Sequence, residues 1–244
     1  MQTEVKNPYL SYRSRFVWLA VFAVAMGFLE GIVVIYLREL YYPQGFDFPI
    51  KLMSPGLVRI EWIREIATLI MLAAVGIVAG RNSLQRLFYF LFAFGVWDII
   101  YYAALKLLIG WPSSFLTWDL LFLIPWAWLG PVLAPVINSV TMIFMALLII
   151  GREEKGSRVK PQPLDWILIF SGAAIILYTY LVDVLRLIFE SSMLASNSPA
   201  TSKDQLINLI SNYIPDNYNW LLFIIGEVLI ISATVKILIQ SNKR

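Results

Sequence analysis

Ten acidic and basic residues lie within long apolar runs of this sequence, where a charged side chain is energetically costly. They are Glu30, Arg59, Glu61, Arg64, Glu65, Asp98, Lys106, Asp183, Arg186 and Glu227. Each such group costs about 2.5–3.5 kcal/mol on membrane-insertion scales, so it usually faces a helix-bundle interior or water. The group as a whole therefore predicts a site for ligand binding or proton transfer, or a set of structural ion pairs.

The residue types indicate two kinds of chemistry. A carboxyl group shielded from water can exchange protons near neutral pH, so Glu61, Glu65 and Asp98 are the candidate catalytic acids and bases. Basic side chains such as Arg64 can hold an anionic head group. The candidate ligand-binding residues are Glu30, Arg64, Tyr102, Lys106, Asp183, Arg186 and Glu227.

Six apolar segments must position these residues. The chain is 59% hydrophobic and 14% charged, against roughly 25% charge in soluble domains, and its mean hydropathy is +0.73. The segments cover residues 16–37, 57–80, 84–109, 128–150, 164–189 and 219–239, and each can cross a hydrocarbon core about 30 Å thick. The sequence therefore predicts an all-α fold, a polytopic membrane helical bundle of about six transmembrane helices forming one domain over residues 1–244.

The basic residues between the segments are unevenly distributed. One side of the predicted bundle holds most of them, whereas the loops of the other side hold little beyond Arg38, Lys51 and Lys203. Lysine and arginine accumulate in cytoplasmic loops. We therefore expect the N- and C-termini in the cytoplasm, and we expect the membrane to be a bacterial plasma membrane.

With this orientation, the embedded charges share one depth. The first, third and fifth segments run outward and carry their charges at or beyond the midpoint, while the second and sixth run inward and carry theirs before it. The exceptions lie at the cytoplasmic rim and are Arg86, Asp165 and Lys236. Helical spacing also places Glu61, Arg64 and Glu65 on one face of the second segment. The inner halves are almost entirely apolar, so the sequence predicts a charged pocket that opens to the non-cytoplasmic side.

Residues 110–127 connect the third and fourth segments in an unusual way. This stretch is too apolar for a free aqueous loop, yet Trp111, Pro112, Trp118, Asp119 and Pro125 interrupt it. Tryptophan concentrates at membrane interfaces, and non-helical backbone within a membrane must be buried in protein or line water. The stretch therefore predicts an outer interfacial or re-entrant segment.

The absence of cysteine and histidine removes disulfides, iron–sulfur clusters and most haem, copper and zinc sites. We assign no cofactor and no metal. The basic residues lie in short loops where topology explains them, so we expect no nucleic-acid partner. The expected partners are membrane lipid, an amphiphilic small-molecule ligand, and either a second copy of the chain or another subunit of a membrane complex.

Three functions fit these features. The leading hypothesis is a membrane protein that binds, and could chemically transform, an amphiphilic or lipid-like molecule through the charged pocket. The second is proton- or sodium-coupled transport of a small molecule, because proton relays use embedded carboxylates. The third is a non-catalytic subunit whose embedded charges pair with a partner's helices or with one another.

Overall fold

The computed structural model describes residues 11–194 and 207–243. Within these ranges, six helices are long and apolar enough to cross a membrane. They are α1 (Tyr12–Tyr41), α2 (Pro55–Ala79), α3 (Ser83–Ile109), α4 (Leu133–Glu154), α5 (Pro163–Leu194) and α6 (Trp220–Gln240). The prediction of an all-α polytopic helical bundle is confirmed.

Polar residues at the helix ends explain where several helices start and stop. Ser54 accepts a hydrogen bond from the Leu57 N–H and precedes a proline at the start of α2, and Asn82 caps α3 through the Gln85 N–H. Both contacts satisfy backbone donors that the first helical turn leaves free. Gly110 ends α3 with a φ of 71°, a left-handed conformation that a side chain would strain.

The helix α3 is central, because it packs against α1, α2 and α4, while α5 packs mainly on α6. Small residues allow the backbones to approach closely at these crossings. A Cβ atom added to Gly27 of α1 would lie 2.7 Å from the Trp97 carbonyl oxygen of α3, and one added to Gly95 would lie 2.6 Å from the Ser139 carbonyl oxygen of α4. The glycines therefore fix the spacing of the three helices.

The connection between α3 and α4 contains an antiparallel hairpin of β1 (Trp118–Phe122) and β2 (Trp128–Pro131), in which Asp119 lies opposite Gly130. The fourth helix thus begins at Leu133 and not at the predicted Trp128. The apolar character of residues 128–131 resembles that of a helical span, but these residues pair with β1 instead. Strand pairing satisfies backbone groups that an apolar connection would otherwise leave without partners.

The two ends of the bundle differ in polarity. Near the start of α1, Phe16, Phe88, Phe92 and Ile149 form an apolar core with residues of α4 and α6. The rim at this end is polar and includes a 2.8 Å ion pair between Lys236 and the fully buried Asp165. A short antiparallel pair, β3 (Ser157–Arg158) and β4 (Asn242–Lys243), also lies here. The embedded charges lie toward the opposite end, where α1 and α3 finish.

Candidate functional site

A cavity lies at the end of the bundle where α1 and α3 finish and α2 begins. It offers about 120 Å³ to the centres of water molecules, enough for several waters. Its walls come from α1, the connection between α1 and α2, α2, α3 and the hairpin. We call it the charged cavity because its lining includes Glu30, Arg38, Lys51, Glu61, Arg64, Glu65, Asp98 and Asp119.

Arg64 holds two carboxylates at one wall of the charged cavity. Its Nη1 contacts Glu30 of α1, and its Nη2 lies 2.7 Å from the Glu61 Oε2 one helical turn earlier. The hydroxyl of Thr68 also donates to Glu30 Oε2 at 3.3 Å. Because α1 and α2 otherwise contact each other little, this polar group is a principal link between them at that depth.

Arg38 and Asp119 form a second ion pair, between the last turn of α1 and β1. The Arg38 Nη2 lies 3.0 Å from Asp119 Oδ1, and the two residues are 8% and 1% exposed. The guanidinium also lies 3.7 Å from the centroid of the Trp111 ring, a favourable cation–π arrangement. Burial raises the pKa of the Asp119 carboxyl to about 6, while Arg38 opposes that shift.

Two carboxylates of the charged cavity have hydrogen bonds only to neutral groups. Both oxygens of Glu65 accept the Leu123 N–H, at 3.0 and 3.1 Å, where the chain leaves β1. The Ser139 hydroxyl of α4 donates to Asp98 Oδ2 at 2.8 Å. Neither carboxylate has a basic side chain within 4.0 Å in the described parts of the chain.

The structure brings five of the ten predicted site residues together in the lining of the charged cavity. They are Glu30, Glu61, Arg64, Glu65 and Asp98. The other five, which are Tyr102, Lys106, Asp183, Arg186 and Glu227, do not line it.

Four of these five residues lie in environments separate from the charged cavity, whereas Tyr102 lies next to Asp119 of its lining. The Lys106 ammonium donates to the carbonyls of Gly110 and Pro112, at 3.0 and 2.8 Å, and so stabilises the end of α3. Tyr102 is buried, whereas Arg186 is exposed and Asp183 is half-buried. No ion pair joins those last two side chains, although both belong to the described part of α5.

Glu227 belongs to a different polar group, between α4, α5 and α6. The Thr141 hydroxyl donates to Glu227 Oε2 at 2.8 Å, and Glu227 is only 6% exposed. Nearby, the Asn138 amide donates to the Tyr180 hydroxyl at 2.7 Å. This group satisfies polar atoms at helix crossings and contributes nothing to the lining of the charged cavity.

Sequence reasoning missed three charged lining residues, Arg38, Lys51 and Asp119, as site residues. A signal was present for two of them: Arg38 follows Glu30 by eight residues on the same helix, and Asp119 is the one charged residue between Gly110 and Pro131. Eight residues make two helical turns plus about 80°, so Glu30 and Arg38 lie on the same broad side of α1. The spacing brings Arg38 to the same cavity as Glu30, and the position of the hairpin brings Asp119 there.

The chemistry available in the charged cavity combines acids, bases and aromatic rings. Five carboxylates and three basic groups line it, together with Trp97, Tyr101 and Phe122 among other aromatic residues. Within residues 11–194 and 207–243, no three acidic side chains form a group that could hold a metal ion. The arrangement is suited to polar recognition next to apolar surface.

Comparison of this chain with protein-family models, with curated proteins and with solved structures gave no match.

Proposed function

We propose that the charged cavity binds the polar head of an amphiphilic, lipid-like molecule that arrives from the non-cytoplasmic leaflet. The observation that carries this proposal is the meeting of eight charged side chains from α1, α2, α3 and two connections at one small cavity. Charges are rarely placed inside a membrane protein unless they face a ligand, water or one another. Here they do so beside aromatic and aliphatic side chains that suit an apolar tail.

The polarity of the bundle supports binding from one side. Beyond Glu30 and Thr68, buried apolar residues such as Leu72, Phe88 and Phe92 predominate in the interior toward the other end. Alternating-access carriers need a polar binding site that can open to both faces. A cavity closed at one end by an apolar core fits a binding protein better than a carrier.

The carboxylates could also serve a reaction on the bound molecule. Glu61, Glu65 and Asp98 line the charged cavity, and carboxyl groups in such surroundings can act as general acids or bases. A transformation of the ligand would use these groups. Binding is the proposal, and the reaction would be an extension of it.

Native mass spectrometry of the full-length protein, after incubation with a total lipid extract, tests the proposal. We expect the parent protein to retain a defined class of amphiphile, and the Glu61→Gln/Asp98→Asn variant to retain at least tenfold less of it. The control is Glu227→Gln, which removes an embedded carboxylate outside the charged cavity and should leave retention unchanged.

Equal retention by the parent and the cavity variant would contradict the proposal. Proteoliposome measurements on the same three proteins separate binding from transport. A proton or sodium flux that the cavity variant loses and the control keeps would favour transport instead. Co-purification of a stoichiometric companion protein, with no retained amphiphile, would favour the role of a non-catalytic subunit.

A further inference from the structure

We infer that the ligand of the charged cavity carries a positive charge, as a protonated amine attached to an apolar tail. This inference rests on the proposed function and names the chemical class of the ligand. It depends on three features of the cavity, which are the pairing of its arginines, the free oxygens of its carboxylates and its aromatic lining.

Both arginines of the charged cavity are already neutralised by carboxylates of the protein. Arg38 pairs with Asp119, and Arg64 pairs with Glu30 and Glu61. The Nη1 atoms of Arg38 and Arg64 have no hydrogen-bond partner by geometry in the described part of the chain, although Arg64 Nη1 contacts the Glu30 carboxylate. Both atoms are enclosed by protein and cannot reach a ligand without rearrangement. An anionic head group would therefore have to displace an existing ion pair.

The carboxylates, in contrast, retain accessible acceptor atoms. Glu61 is 4% exposed and uses only Oε2 to bind Arg64, and Asp98 uses only Oδ2 to accept from Ser139. Their other oxygens, Oε1 and Oδ1, have no hydrogen-bond partner among the described residues, and neither is an enclosed atom. A buried carboxylate without enough donors is costly. A positively charged N–H donor in the charged cavity would supply the donor that such an oxygen lacks.

The charge balance points the same way. The lining contains five carboxylates, from Glu30, Glu61, Glu65, Asp98 and Asp119, against the two paired arginines and one lysine. That lysine, Lys51, is exposed at the edge of the cavity. The lining thus has two more acidic than basic side chains, and binding of a cation, unlike binding of an anion, would favour the ionised form of these acids.

The aromatic side chains offer a second source of attraction for a cation. Trp97 directly precedes Asp98, and it lines the charged cavity together with Tyr101 and Phe122. The faces of such rings attract ammonium groups by about 0.5–2 kcal/mol, depending on desolvation. Their apolar surface can also contact the carbon atoms next to the amine.

Three probes that share one alkyl chain test the inference on the full-length protein in phosphatidylcholine nanodiscs. Dodecylamine, dodecanol and dodecyl sulfate carry a cationic, a neutral and an anionic head group on the same alkyl chain, and equilibrium dialysis against empty nanodiscs corrects for partition into lipid. We expect saturable binding of dodecylamine at least tenfold tighter than that of either other probe. We expect Asp98→Asn, which keeps an acceptor for Ser139 and leaves the Arg64 pairs intact, to abolish the preference for the amine. Glu227→Gln should preserve it.

The possible results distinguish the inference from the proposed function. Saturable binding of dodecanol or dodecyl sulfate that equals or exceeds that of dodecylamine, and that the Glu61→Gln/Asp98→Asn variant loses, would overturn the charge inference and leave cavity binding intact. Amine binding that both Asp98→Asn and the double variant retain would place the probe elsewhere and overturn the inference. The absence of saturable binding by all three probes would overturn it as well, while the proposed function would still be judged by retention of native lipid.

Discussion

Arg64 shows how a single residue can join two helices and also line the charged cavity. Its guanidinium contacts Glu30 of α1 and Glu61 of α2, so one cation balances two carboxylates that would otherwise repel each other. The hypothesis that the embedded charges only form structural ion pairs therefore accounts for Arg64. It does not account for Glu65 and Asp98, whose hydrogen bonds come from neutral donors.

Replacement of Arg64 by methionine should destabilise the protein substantially. The variant would leave Glu30 and Glu61 close together without a cation, and breaking a buried ion pair typically costs about 3–5 kcal/mol. Because the Arg64 side chain is 20% exposed, we expect a smaller loss, of roughly 2–3 kcal/mol. Thermal unfolding in detergent, followed by intrinsic fluorescence, should show an apparent Tm lower by about 5–10 °C.

Two further variants make the Arg64 measurement specific. Arg59→Met removes an exposed arginine from the same helix and should change the apparent Tm little. Adding Glu61→Gln to Arg64→Met removes one of the two stranded charges and should restore part of the loss, because paired residues are not additive. Equal Tm values for the parent and Arg64→Met would show that the arginine contributes nothing to the α1–α2 contact.

At the scale of elements, the hairpin brings together the residues of the charged cavity. It also connects α1 and α2 with α5. One strand bears Asp119, which pairs with Arg38 of α1, and the chain leaving that strand binds Glu65 of α2 through Leu123. The other strand contacts α5: the Trp128 ring of β2 stacks on the Tyr180 ring of α5, with their centroids 6.1 Å apart. The hairpin thus closes one wall of the charged cavity and connects it to α5.

The sequence predicts helices far better than it predicts this hairpin, for a physical reason. A membrane helix satisfies its own backbone hydrogen bonds, so length and hydropathy are sufficient to locate it. A buried hairpin depends on contacts such as Glu65 with Leu123, which lie 58 residues apart in the chain. Composition alone could suggest an unusual connection at residues 110–127, but it could not supply the strand pairing.

Loss of the Glu65 carboxylate should loosen the hairpin. In Glu65→Ala the Leu123 N–H would lose both acceptor oxygens, whereas Glu65→Gln keeps one carbonyl acceptor. Hydrogen–deuterium exchange of peptides covering residues 118–131 should therefore be faster in Glu65→Ala than in the parent. We expect an intermediate rate for Glu65→Gln, because the geometry is retained and the charge is lost.

The control for this exchange experiment is Glu227→Ala, which removes a buried carboxylate from the α4–α6 interface and should leave the hairpin unchanged. Peptides from α4 report whether a variant has loosened the whole bundle. Unchanged hairpin exchange in Glu65→Ala would contradict the role of Glu65 as its anchor. Faster exchange in α4 as well would indicate a global effect.

At the scale of the whole molecule, the sequence predicted which end of the bundle carries the embedded charges, but it could not predict how each helix is rotated about its axis. Topology places the embedded charges toward one end, and the structure gathers five of the ten residues there at one cavity. Lys106 and Glu227 lie on faces that are directed elsewhere, because the rotation of each helix is set by its crossings, for example by the close contact of Gly95 with Ser139. These contacts between helices cannot be derived from a single sequence.

The orientation of the bundle decides which compartment the charged cavity serves, and the distribution of lysine and arginine predicts that it opens to the outside. The chain has no cysteine, so single cysteines can be introduced without removing others. Gln44→Cys and Ser113→Cys place exposed thiols near the cavity end of the bundle, while Ser83→Cys and Lys155→Cys place them at the opposite end. In intact cells, a membrane-impermeant maleimide should label the first pair, and it should label the second pair only after lysis.

This labelling pattern bears directly on function. If the first pair reacts from outside, the proposed ligand of the charged cavity would come from the outer leaflet or the medium, because the apolar core toward the other end blocks a polar path from the cytoplasm. If the second pair reacts instead, the positive-inside prediction fails for this chain. The same eight charged side chains would then face the cytoplasm, and a ligand made inside the cell would become the one to seek.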